Sequence, residues 1–265
     1  MPETCQLVSD TGVAKAGKSI ADLFLLGILA GAYVALAAAG STMAAYSLLA
    51  NPETFGLGRC VAGLIFPCGL MLVMLAGSEL FTGNTMMLLP LAQRRISLLA
   101  MLQNWLVVYA GNFVGAVFVA FLICQSGQLN AGNGRLSETT ITIAAAKCSL
   151  TFMQAFVLGI FCNWLVCLAV WLALGAKDVT GKILAIFFPI WLFVTSGYEH
   201  SIANMYYIPV GLFATQFSTA PTPALSWENF FVVNLLPVTL GNIIGGGLFV
   251  ALTYGYIHRK HRSTG

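Results

Sequence analysis

The feature that most limits what this chain can fold into is a series of long stretches without a charged side chain. Between consecutive charged residues lie runs at 23–52, 60–78, 80–93, 96–134, 148–176, 183–198, 200–227 and 229–257. A helix needs roughly 20 apolar residues to cross the hydrocarbon layer of a bilayer. Runs 23–52, 96–134, 148–176 and 229–257 are long enough alone, and the other four form two pairs, each split by one acid, Glu79 or Glu199. The chain therefore reads as six crossings, the second and fifth broken at a glutamate. Composition agrees, because only 8% of the residues are charged and 58% are hydrophobic, whereas a soluble domain of this length exposes far more charge.

Basic residues set the orientation. Lys15, Lys18, Arg94, Arg95, Lys177, Lys182, Arg259, Lys260 and Arg262 fall on one side of the crossings, against Arg59, Arg135 and Lys147 on the other. That imbalance puts both termini in the cytoplasm. The first 20 residues carry Glu3 and Asp10 and no separate apolar core, so the first crossing serves as the targeting signal. Within 4–22, Val13, Ala16 and Ile20 share helical spacing, which suggests a short interfacial helix. Residues 1–19 are thus read as a cytoplasmic segment, 20–257 as one transmembrane domain and 258–265 as a basic cytoplasmic tail. The seven cysteines include no CxxC pair, so they read as packing residues, with no metal or cofactor expected. No nucleic-acid partner is expected.

The two halves repeat each other, about 20–125 against 148–257. LLGILAGAYVALA at 25–37 matches VLGIFCNWLVCLA at 157–169, GSELFTGN at 77–84 matches GYEHSIAN at 197–204, and QNWLVVYAGNFVG at 103–115 matches VNLLPVTLGNIIG at 233–245. Each half holds three crossings, an odd number, so the second enters the membrane upside down. Inverted repeats place a transport pathway at their interface, lined by broken helices.

A carboxylate at the centre of a span costs roughly 2.5–3.5 kcal/mol to insert, so Glu79 and Glu199 need a reason to be there. Either they hold unwound backbone by accepting its N–H groups, with Asn84 and Asn204 capping the resumed half-helices, or they contact a transported solute. The repeats differ at the next position, Leu80 in the first and His200 in the second. His200 is thus an ionisable group at a helix break. Phe193, Gly197 and His200 share one helical face, and Gly63, Phe66 and Leu70 another. Bulky side chains near an ionisable group suggest hydrophobic constrictions around a central site. The faces carrying Gly111, Gly115 and Gly241, Gly245 predict close helix contacts.

The segments GSELFTGNT, SGYEHSIANMYYIPVG and LPVTLGNIIGGG resemble the formate/nitrite transporter family over about residues 20–257. The resemblance implies an aquaporin-like fold, one pore per protomer, a homopentamer and the inner membrane of a bacterium. It implies that the family's central histidine is His200, its loop threonine Thr82, its fourth-span asparagine Asn163 and its vestibule lysine Lys147. It also implies constrictions at Phe66, Leu70 and Phe193 on the outer side and at Leu80 and Phe81 on the inner side.

Lys147 either draws monovalent anions into a vestibule or snorkels to the headgroups. Beyond it the walls are apolar, and a bare anion there costs tens of kcal/mol against a few for a neutral acid. The expected partners are therefore a small anion of a weak acid and a proton taken up on the way, from solvent or from His200; formate, nitrite and hydrosulfide all qualify. A neutral-solute channel of aquaporin type is the alternative, but the chain's one Asn-Pro, Asn51-Pro52, falls in a turn and not in paired Asn-Pro-Ala loops. An enzyme is not expected: Ser201 follows His200 directly, and adjacent helical side chains diverge by about 100°.

Overall fold

The computed structural model describes residues 2–217 and 222–260, and all regular structure within them is helical. The elements are α1 (Pro2–Ala16), α2 (Ile20–Leu49), α3 (Phe55–Ile65), α4 (Pro67–Leu75), α5 (Phe81–Asn84), α6 (Leu88–Ala92), α7 (Leu98–Gln125), α8 (Arg135–Cys148), α9 (Phe152–Gly175), α10 (Val179–Ser196), α11 (Ser201–Ala214), α12 (Trp227–Asn229), α13 (Leu236–Ile243) and α14 (Thr253–Lys260). Six helical stretches are long and apolar enough to cross a membrane: Ile20–Leu49, Pro52–Leu75, Leu98–Gln125, Phe152–Gly175, Val179–Ser196 and Trp227–His258. The last is continuous from α12 to α14 through π-helical windings at Phe230–Leu235 and Ile244–Leu252. Residues 261–265, the end of the basic tail including Arg262, lie outside the described residues.

Polar caps mark where these helices begin. Ser19, Ser97, Thr151 and Asp178 each accept the backbone N–H three residues on, which satisfies donors that a helix start leaves orphaned. The expected helix over 4–22 is divided for this reason: α1 stops at Ala16, and Ser19 caps α2. Its buried face is also a different one. Thr4, Cys5, Val8 and Ser9 face the bundle, whereas Ile20 is exposed at the start of α2. Ser9 and Asp10 bind Arg95, at 2.7 Å in each case, so polar ties to the α6–α7 connection choose the face over the weak apolar period.

Small residues bring the long helices together. A Cβ on Gly115 of α7 would overlap the Ile28 carbonyl of α2, and one on Gly245 would overlap the Ile160 carbonyl of α9. These close approaches pair the first crossing with the third and the fourth with the sixth. The seams fall where the glycine spacing predicted them.

Two interruptions break the pattern. The chain leaves helical geometry after Leu75 and resumes at Phe81; it leaves again after Ser196 and resumes at Ser201. Each starts at a left-handed glycine, Gly77 (φ 81°) and Gly197 (φ 77°), two residues before a glutamate. A side chain is strained in that region of backbone space. Leu80 and His200 then take nearly the same extended conformation, φ −112° and −109°.

Candidate functional site

The first requirement at a break is to satisfy the freed backbone. Asn112 of α7 does so at the first: its Nδ2 donates to the carbonyls of Gly27 (2.8 Å) and Glu79 (2.9 Å), and its Oδ1 accepts the Phe81 N–H (3.0 Å). Asn242 of α13 repeats this at the second, with Gly159 (2.8 Å), Glu199 (3.0 Å) and the Ser201 N–H (2.9 Å). The backbone N–H of Glu79 reaches the Leu26 carbonyl, and that of Glu199 reaches the Leu158 carbonyl, both at 3.2 Å.

The two carboxylates are therefore released from the role expected of them. Glu79 accepts Lys15 (2.8 Å), Lys18 (2.7 Å) and Asn84 (2.9 Å). Glu199 accepts Lys147 (2.7 Å), Asn204 (2.6 Å) and Asn234 (3.2 Å). Side chains instead of backbone N–H groups satisfy both glutamates, because the asparagines already hold the backbone. Asn84 and Asn204 likewise spend their amides on Glu and on Asn104 and Asn234, not on capping. Asn104 and Asn234 close each knot by donating to the Lys15 and Lys147 carbonyls. Lys15 on α1 is thus the structural counterpart of Lys147 on α8.

The breaks meet at Thr82 and His200, whose Oγ1 and Nε2 lie 3.2 Å apart. His200 caps α11, its Nδ1 accepting the Ala203 N–H at 3.1 Å. That bond assigns the proton of the neutral ring to Nε2, which donates to Thr82. Asn163 of α9 fixes Thr82 from behind, donating to its carbonyl (3.1 Å), to Thr85 Oγ1 (3.0 Å) and to the Asn242 carbonyl (2.7 Å).

Phe193 stacks on His200 with ring centroids 5.9 Å apart, and Phe66 meets Phe193 edge-on at 5.6 Å. These three side chains share a cavity of about 60 Å³ with Lys147, Arg59 and Tyr207, well above the roughly 10–15 Å³ that a single water needs. Leu70 and Leu80 are buried without lining it. Phe81 is turned to α7, edge-on to Tyr109 at 4.8 Å and Trp105 at 5.9 Å. Arg59 binds the Val194 and Thr195 carbonyls at the end of α10.

Sequence reasoning passed over Asn112, Asn242, Asn104, Asn234, Lys15, Lys18 and Arg59. A signal existed for the four asparagines, since both positions recur in the third repeated segment. It was read as evidence of duplication and not as a functional group.

A model of the formate/nitrite transporter family matches residues 2–256. A probable formate transporter of Methanothermobacter thermautotrophicus is 43% identical, with 95% of this chain and 97% of that protein aligned. The formate channel FocA of Haemophilus influenzae is 40% identical, covering 98% of this chain and 94% of that one. Among solved structures, a pentameric formate channel with formate bound superposes with a TM-score of 0.82 at 37% identity, over 91% of this chain and 98% of that chain. An FNT family ion channel gives a TM-score of 0.85 at 32% identity, over 97% and 99%.

Proposed function

The chain belongs to the formate/nitrite transporter family, and on that premise we propose that it conducts small anions of weak acids, formate foremost, through a pore in each protomer of a homopentamer. Its named relatives are channels and transporters, not enzymes. The observation that carries the reading is the Thr82–His200 contact, where the two interruptions meet beside the aromatic pair Phe66 and Phe193. Nitrite and hydrosulfide share formate's charge and small size and are the other candidate substrates. The excess of basic residues on one side supports cytoplasmic termini in a cytoplasmic membrane, and the recurring asparagine and glutamate knots support two inverted repeats with broken second and fifth crossings.

The solute crosses the aromatic constriction as the neutral acid. A bare anion between Phe66 and Phe193 would lose its hydration at a cost of tens of kcal/mol. The bonding of His200 bears on where the proton comes from. Its Nδ1 already accepts from Ala203, so a doubly protonated ring would set two N–H groups against each other and uncap α11. Solvent at the Lys147 mouth is therefore the proton source, while His200 and Thr82 offer hydrogen bonds to the acid.

Flux into proteoliposomes at fixed ionic strength tests this, with formate compared with chloride over mildly acidic to mildly basic pH. Formate should move far faster than chloride, with uptake rising as pH falls. His200→Asn, whose side-chain oxygen can keep the cap, should retain that pH dependence. Loss of the dependence would make His200 the proton donor, and equal rates for chloride and formate would overturn the protonation reading altogether.

A further inference from the structure

Two cations, Arg59 and Lys147, line the cavity beside His200, and one carboxylate, Glu199, reaches the second of them from outside the lining. Lys147 places its ammonium 2.7 Å from Glu199, so its charge is already answered. Arg59 lines the same cavity, and among the described residues no carboxylate lies within ion-pair distance of it. Its bonds go to the Val194 and Thr195 carbonyls, which bring no full negative charge. The end of α10 contributes about half a negative charge there, but α11 starts at Ser201 with the opposite partial charge. Glu199 also acts on Arg59 through space, but two cations against one carboxylate leave this mouth one positive charge in excess, and Arg59 is the cation without a contact ion pair. The other break carries the same balance, since Glu79 is shared by Lys15 and Lys18, again one cation in excess.

The position of Arg59 suits it to receive an anion. Arg59, Ala62 and Phe66 line the cavity at i, i+3 and i+7, one face leading from the guanidinium to the constriction. A guanidinium carries a fixed positive charge and five N–H donors. Two are spent on the α10 carbonyls, which leaves the others for solvent or an anion.

We propose that Arg59 is the anion-recruiting residue of the Lys147 mouth: a monovalent carboxylate meets its guanidinium before protonation and passage between Phe66 and Phe193. Lys147 then serves chiefly to neutralise Glu199 and dock α8. The proposal rests on the anion-channel reading above.

The test is initial formate flux against formate concentration for wild type, Arg59→Gln and Arg59→Lys, at low and high ionic strength set with impermeant ions, in preparations with matched oligomer profiles. Arg59→Gln should raise the half-saturating concentration about fivefold, the factor that a water-screened unit charge at about 4 Å is worth. It should leave the maximal rate near wild type and flatten the salt dependence. Arg59→Lys should keep the wild-type half-saturation within about twofold, because the charge remains. Wild-type behaviour of Arg59→Gln would overturn the proposal. So would an Arg59→Lys as impaired as Arg59→Gln, since the carbonyl tie and not the charge would then be what matters. A wild-type protein that conducts no formate at all overturns the channel reading, and this proposal with it.

Discussion

Asn112 and Asn242 each occupy a buried position and each hold three backbone groups, two carbonyls and one N–H, at the point where a helix has come apart. A buried polar group left without its partner costs about 1–3 kcal/mol. Asn112→Ala and Asn242→Ala should therefore each destabilise the protein by several kcal/mol, and by similar amounts, because the bonds removed correspond one for one. Thermal unfolding of the detergent-solubilised protein measures this. A loss confined to one of the two variants would mean that the breaks are unequal in energy despite equal geometry. The glutamates were visible in the sequence as acids in apolar runs. Which group held the backbone was not, because a carboxylate and an amide can both accept an N–H, and only the folded chain shows which one lies within reach.

Among the elements, α1 and α8 were the least legible. Neither is among the stretches long and apolar enough to cross a membrane, yet each delivers a lysine to a carboxylate at a break, Lys15 to Glu79 and Lys147 to Glu199. Arg135–Cys148 lies almost wholly between the two repeated segments, and the structure sets its Leu136, Thr139, Thr140, Ile141 and Ala144 into the bundle. Removing one partner of a buried ion pair typically costs about 3–5 kcal/mol, while replacing both is often close to neutral. Lys147→Met should thus destabilise strongly, and Lys147→Met with Glu199→Gln should recover most of the loss in the same unfolding measurement. A double variant no better than the single would assign the cost to packing of the lysine stem and not to the orphaned carboxylate.

At the scale of the molecule, much of the apolar surface of a single chain remains open, including Leu99 and Leu106 on α7 and Phe118 further along it. Lipid or neighbouring protomers can cover it, and the homopentamer proposed above requires the second for part of it. Native mass spectrometry from mild detergent should give five times the 28.2 kDa protomer mass; a stable monomer that still conducts would show that each pore works alone. The six membrane-length stretches and the glycine seams were determined by the sequence alone, because water-free surroundings force backbone hydrogen bonds into helices and make apolar length a direct measure of a span. The site was decided by tertiary structure. Thr82 and His200 are 118 positions apart, Lys15 and Glu79 are 64 apart, and the pairing of each cation with its carboxylate is a matter of distance in space. Local periodicity says which face of a helix is apolar, but not which distant charge will come to neutralise it.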